Sequence, residues 1–343
     1  MSIVSGKPTI TRKELEGVLD CLINEELISG GITRTFEKNL CELTSFKFCT
    51  AVNSLTAAYH LAFHALGINR DSEIIIPSYF NSAPLNALEI IGAKAVFVDI
   101  QEDNLLPDFD EIKRKCNENT KAIVTGHVSG IVDSFEALKQ TGIPVIEDIS
   151  HAIGTEIEGK HIGLDASITV CAFTPYDMIT TGNGAALFTN NTKFYSTFKT
   201  FRYSSDSPSF DYTMTDFQGA MGISQLSRIQ NFIRRRREIA QIYYDRLRMT
   251  QHHALYPFNP VFTYQAFPLI FDSSAEKTEK FFKKAGIEIY HPVETPLHIM
   301  KGFAPMDFPR SDRMSKKLYS LPIYPTLTKN EIEKISRNIA KFI

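Results

Sequence analysis

Apolar residues near the start of the chain recur at helical spacing. Thr11 followed by Glu14 has the form of a capping box, and Leu15, Val18, Leu19 and Leu22 follow every three or four positions. This predicts a helix over 11–28, broken by Gly30-Gly31. Phe36, Leu40 and Leu43 predict a second helix over about 33–43. From residue 48 the pattern changes to short runs that are apolar throughout: 48–52, 73–76, 95–99, 122–125 and 144–148. Amphipathic segments at 57–66, 82–91, 108–116 and 134–140 separate them. Such strands between helices predict an α/β protein whose parallel sheet is covered on both faces.

Ligands on such sheets bind beyond the carboxyl ends of the strands, which is where Asp148, His127 and the 174–184 turn are placed. That turn follows the apolar run Val170–Phe173, delivers Asp177, and passes Gly182 and Gly184 into a second run, Ala185–Thr189. After residue 190 helices dominate, over 217–226 and about 228–248, the second with Ile229, Phe232, Ile233, Ile239 and Tyr243. Beyond a linker at 257–260, a strand (266–271), a helix (274–285), a strand (288–290) and a terminal helix capped by Thr328 and Glu331 predict a smaller α+β unit. The expected division is a large domain over 1–230 and a small C-terminal domain over 231–343 that includes the long connecting helix.

Composition narrows the partners. The 343 residues are 43% hydrophobic and 22% charged, with a net charge of −2, which offers no field for nucleic acid or an anionic membrane. The basic run Arg234–Arg237 sits within a helical pattern and reads as a solvated face or subunit contact. Five scattered cysteines without a CxxC pair fit reduced thiols, and no secretory pattern or long apolar run appears, so the expected location is cytoplasmic. Neither dinucleotide nor P-loop glycine motifs occur. The polar start Asn53-Ser54-Leu55-Thr56 of the third helix leaves backbone N–H groups for an ordinary cap or a phosphate.

Several strings resemble the DegT/DnrJ/EryC1/StrS family of PLP-dependent sugar aminotransferases. Thr56-Ala57-Ala58-Tyr59-His60-Leu61-Ala62 is similar to its Gly-Thr-Ala-Ala-Leu-His-Leu-Ala helix start, and Gly92–Ile100 to its Gly-Ala-x-Pro-Val-Phe-Val-Asp-Ile strand. Ile146-Glu147-Asp148-Ile149-Ser150-His151, Asp211–Ala220 and Leu321-Pro322-Ile323-Tyr324-Pro325 carry the likeness through the chain. The resemblance implies a type I PLP-dependent aminotransferase fold and a homodimer with active sites at the subunit interface. It also implies that Leu55, Thr56, Asp148 and His151 line the cofactor position, Asp148 at the pyridine nitrogen and His151 beside the ring hydroxyl.

The family's Schiff-base lysine falls on Asp177, and a carboxylate forms no imine. The helix-start glycine falls on Leu55, the stacking aromatic on Asn81, the phosphate-binding serine on Ala172 and the partner-subunit asparagine on Tyr203. Some family members, GDP-4-keto-6-deoxymannose 3-dehydratases, replace the lysine by histidine in a string similar to Pro175–Gly184. Three readings follow. One is a homologue that has lost PLP and binds a nucleotide sugar or another anionic metabolite in the old cleft, or acts as a non-catalytic partner of an active paralogue. Another is an enzyme on a nucleotide-linked keto sugar using non-covalent PLP or PMP, with Asp177 as acid/base. The third is cofactor-free chemistry by Asp177, His151 and Asp148. Tyr290, His291 and His298 read as packing residues with a lesser claim on the ligand.

Overall fold

The computed structural model describes residues 2–342 apart from 25, 26, 102, 134, 135 and 251, so the expected helical residues 25–26 and 134–135 lie outside the described residues. Two helices open the chain, α1 (Arg12–Ile23) and α2 (Gly31–Thr44). Then β1 (Phe48–Val52), α3 (Leu55–Ala65), β2 (Glu73–Pro77), α4 (Ala83–Ile91), β3 (Lys94–Val98), α5 (Phe109–Lys115), β4 (Thr120–Gly126), α6 (Glu136–Lys139) and β5 (Val145–Asp148) alternate as the periodicity predicts. A short hairpin, β6 (Glu156–Ile157) and β7 (Lys160–His161), precedes β8 (Ile168–Ala172) and β9 (Ala185–Thr189). The large sheet has seven strands in the order β1-β9-β8-β5-β4-β2-β3. It is parallel from β8 to β3, whereas β9 runs antiparallel to both β8 and β1.

Helices α7 (Thr192–Arg202), α8 (Asp216–Leu226) and α9 (Ile229–Leu247) lead to a three-stranded sheet, β10 (His253–Ala254), β11 (Phe267–Ile270) and β12 (Leu318–Leu321). Around it lie α10 (Ala275–Lys284), α11 (Leu297–Met300), α12 (Pro309–Lys317) and the terminal α13 (Lys329–Lys341), which starts on the Thr328/Glu331 capping box. The strand expected over 288–290 is absent. Ile287 bridges to Ile3 while Tyr290 bridges to Ser320, so this stretch changes partner before a ladder can form. The pairing with Ile3 ties the N-terminal segment to the chain that follows α10. Among the described residues no helix is long and apolar enough to cross a membrane.

Helix α1 presents an unexpected face. Its capping box forms, yet the buried side chains are Glu14 and Cys21, and Leu15, Leu19 and Leu22 are exposed. Glu14 faces inward because Arg228 and Gln225 meet its carboxylate there, and backbone and hydroxyl donors of Thr11 hold it below the usual carboxylate range against the opposing effect of burial.

Asp216 joins α8 to the start of α2. Its buried carboxylate accepts from the N–H groups of Gly30 (2.8 Å), Ile32 (3.3 Å) and Thr33 (2.9 Å) and from the Thr33 hydroxyl (2.6 Å). Gly30 supplies no capping side chain of its own, so an acid from a distant element satisfies the free amides of the first turn. Asp216→Ala is expected to lower stability by about 3 kcal/mol because three N–H groups lose their acceptor, and Thr33→Ala by about 1 kcal/mol. Urea unfolding of the two variants checks the ratio.

Candidate functional site

Strand β5 ends on Asp148, whose side chain points to the face of the sheet covered by α3 while that of Glu147 points to the opposite one, as strand alternation requires. Asp148 is 4% exposed and its carboxylate is fully engaged. Oδ1 accepts from the Ser150 N–H (2.9 Å) and hydroxyl; Oδ2 accepts from the Tyr59 hydroxyl (3.0 Å) and the Asn81 amide (3.0 Å). A carboxylate offers about four acceptor sites, so these four donors fill it. Tyr59 is buried in α3, and burial beside the Asp148 charge pushes its phenol well up, keeping the O–H as a donor. Asn81 is fixed at its other end, its carbonyl oxygen accepting from Ala83 N–H (3.1 Å) at the start of α4.

Leu55 and Thr56 occupy the first two positions of α3, behind the Ser54 cap, which accepts from Ala57 N–H (3.2 Å). Their own N–H groups precede the first intrahelical bond and face the helix start. Thr56 stands one turn before Tyr59, on the side of α3 that meets Asp148.

The turn after β8 is closed on itself. Asp177 Oδ2 accepts from Thr174 N–H (2.6 Å), and Asp177 N–H donates back to the Thr174 carbonyl (3.2 Å). Gly182, at φ +81°, and Gly184, where a Cβ would come within 2.6 Å of Met214, let the chain return tightly into β9. The Asp177 side chain is only 7% exposed, with Oδ1 3.8 Å from His151 Nε2. His151 Nδ1 accepts from Ser129 N–H (3.1 Å), which leaves the proton of the neutral ring on Nε2, toward Asp177. Burial raises the Asp177 carboxyl above the usual range; His151 and the Thr174 N–H oppose that shift, and the Asp148 charge adds to it.

His151 and Asp177 line a cavity of about 410 Å³ together with Lys7, Arg236, Gln265 and Tyr290. The structure therefore brings two predicted residues together at a cavity and places Asp148 beside it in a separate, satisfied cluster. His291 and His298 are not on the lining. His291 bonds to the Leu318 carbonyl (2.9 Å), and buried His298 contacts the Ser78 hydroxyl. His127 is buried against Glu147, 2.8 Å away on the other face of the sheet.

Arg236 and Lys7 were not anticipated at the site. The basic run is not simply a solvated face: Arg235, Arg236 and Arg237 donate to carbonyls of Leu327, of Tyr264, Gln265 and Ile323, and of Val261 and Phe262, respectively, tying α9 to two loops. The signal was Arg236's position, three residues after Ile233 and four after Phe232, on the buried stripe of α9. Lys7 is brought there by anchors on both sides of it, the pairing of Ile3 with Ile287 and the Thr9 carbonyl, which accepts from Gln225 and Arg228. Among the described residues no cluster fit to hold a metal ion occurs.

Asp177's carboxyl titrates higher in the folded chain than unfolded, so ionising it removes stability as pH rises through the folded value. Asp177→Asn is expected to be more stable than the parent at pH 7 by on the order of 1 kcal/mol, with the gain fading as pH falls through the raised folded value and gone by about pH 4. Thermal melts across pH read the difference; an Asn variant less stable at pH 7 contradicts this account.

The same fold recurs in known proteins. The DegT/DnrJ/EryC1/StrS aminotransferase family matches residues 8–340. GDP-perosamine synthase of Escherichia coli O157:H7 is 29% identical, over 98% of this chain and 97% of that one. The Vibrio cholerae enzyme of the same name is also 29% identical, over 98% of each chain. Among solved structures, the PMP-form of the putative sugar aminotransferase Spr1654 from Streptococcus pneumoniae superposes with a TM-score of 0.93 at 23% identity, covering 100% of this chain and 98% of that one. Helicobacter pylori PseC, an aminotransferase of pseudoaminic acid biosynthesis, gives 0.90 at 24% identity, covering 100% and 99%. These structural likenesses carry the fold, and the match along the sequence carries the kinship. The chain belongs to the DegT/DnrJ/EryC1/StrS aminotransferase family.

Proposed function

We propose that this family member binds a nucleotide sugar at the cleft beside Asp177 and does not act as a PLP transaminase. The observation that carries the reading is the saturated carboxylate of Asp148. A pyridine nitrogen held there needs a free acceptor, and Tyr59, Asn81 and Ser150 already occupy both oxygens. Asn81 also stands where the resemblance puts a stacking ring, and Asp177 where it puts the imine-forming lysine. The residues present do not fit PLP, so no reaction step is assigned to it. What they supply is a buried acid beside an imidazole, an arginine and a cavity wide enough for a sugar ring. The relatives named GDP-perosamine synthase make a GDP-linked sugar the first ligand to try.

A second reading draws on Asp177 itself. A carboxyl whose pKa is raised by burial, facing His151, has the properties wanted in an acid/base group, and a dehydratase-like enzyme with non-covalent PLP or PMP would use it so.

Protein incubated with PLP or PMP and desalted is expected to retain no near-UV or visible absorbance from the cofactor, while a GDP-, UDP- or dTDP-hexose raises its melting temperature. Retained absorbance that is lost in Asp148→Ala would overturn this reading in favour of the second.

We further propose a homodimer in which the exposed Leu15, Leu19 and Leu22 of α1 are covered. Leu19→Asp is expected to convert a dimer to a monomer in light scattering; a monomeric parent would refute the assignment.

A further inference from the structure

Arg236 is 5% exposed and lies between α9 and the cavity of His151 and Asp177. Among the described residues all its hydrogen bonds leave from Nη1, to the carbonyls of Tyr264 (3.3 Å), Gln265 (2.9 Å) and Ile323. These fix the plane of the guanidinium. Nε is buried and has no partner among the described residues, so the edge formed by Nε and Nη2 is unused. No carboxylate of the described residues forms an ion pair with Arg236. Asp177 acts on it only through space, its own oxygens being turned to Thr174 and His151. Burial lowers the guanidinium's pKa to about 10, which leaves it cationic at neutral pH.

A buried cation without an ion-paired carboxylate is costly, and carbonyl dipoles and the through-space pull of Tyr290 and Asp177 offset only part of the loss of water. The fork of an arginine is matched by the paired oxygens of a carboxylate or phosphate, which supply both the missing charge and acceptors for its free edge. Lys7 lines the same cavity and adds a second positive charge near its mouth.

We propose that Arg236 is the oxyanion-recognition residue of this cavity, receiving a carboxylate or phosphate group of the bound ligand, with Lys7 assisting. Asp177 then acts as an electrostatic gate: ionised, it opposes the incoming anion; neutral, it admits it. This assignment rests on the cavity being the ligand site of the proposed function, and not on the absence of PLP.

Titration calorimetry of the full chain at pH 7 with inorganic phosphate, GDP, glucuronate and glucose separates the sources. Binding of phosphate and GDP marks a phosphate seat, binding of glucuronate a sugar carboxylate; glucose is the neutral control. At least one anionic probe is expected to bind, with affinity falling about tenfold or more in Arg236→Gln. Because that variant also loses the carbonyl bonds, Arg236→Lys serves as the folded control: it keeps the charge, loses the fork, and is expected to weaken binding about tenfold. Asp177→Asn is expected to tighten it. The proposal is overturned if no anionic probe binds, if affinity is unchanged in both Arg236 variants, or if Asp177→Asn weakens it. Stabilisation by a nucleotide sugar with unchanged affinity in the Arg236 variants would leave the proposed function standing and remove this assignment. An Arg236-dependent anion site in a chain that also retains PLP would do the reverse.

Discussion

The hydrogen bonds on the Asp148 carboxylate set the character of the whole cleft. They join the end of β5 to α3 through Tyr59, to the start of α4 through Asn81, and to the following turn through Ser150. A buried carboxylate must find donors, and in this chain it finds them all within the protein. Ser150 extends the cluster by accepting from Ala172 N–H (2.8 Å), which brings the end of β8 into register beside β5. The turn carrying Asp177 leaves from that strand.

The neighbouring cavity carries charged side chains that the Asp148 cluster does not engage. Asp177 and His151 are held apart at 3.8 Å, near enough for their charges to couple and too far for a direct hydrogen bond. Arg236 is oriented from behind by carbonyls of two loops, so its free edge is set before any ligand arrives. The cavity lining thus brings together the buried cation Arg236, the acid Asp177 and the aromatic ring of Tyr290.

Much of this architecture was legible because strands buried on both faces must be largely apolar, so the runs at 74–76 and 122–124 announce themselves. Spacing was less informative where a helix has two candidate faces. Leu15, Leu19 and Leu22 mark an apolar stripe, but Arg228 and Gln225, some two hundred residues on, decide that Glu14 faces the core. At the site, the sequence placed Asp177, His151 and Asp148 at one end of the sheet through strand order and resemblance. It registered Asn81 only as a missing aromatic. That Asn81 donates to Asp148 depends on a contact across 67 positions, which no local pattern encodes. Arg236 was hidden by its neighbours, since one buried arginine within a basic run looks like the rest unless its helical phase is followed.

The most direct test is a crystal structure of the protein soaked with excess PMP. The account predicts that Tyr59 and Asn81 remain on Asp148 and that no pyridine ring appears beside it. A ring whose nitrogen meets Asp148, with Asn81 displaced, would contradict it.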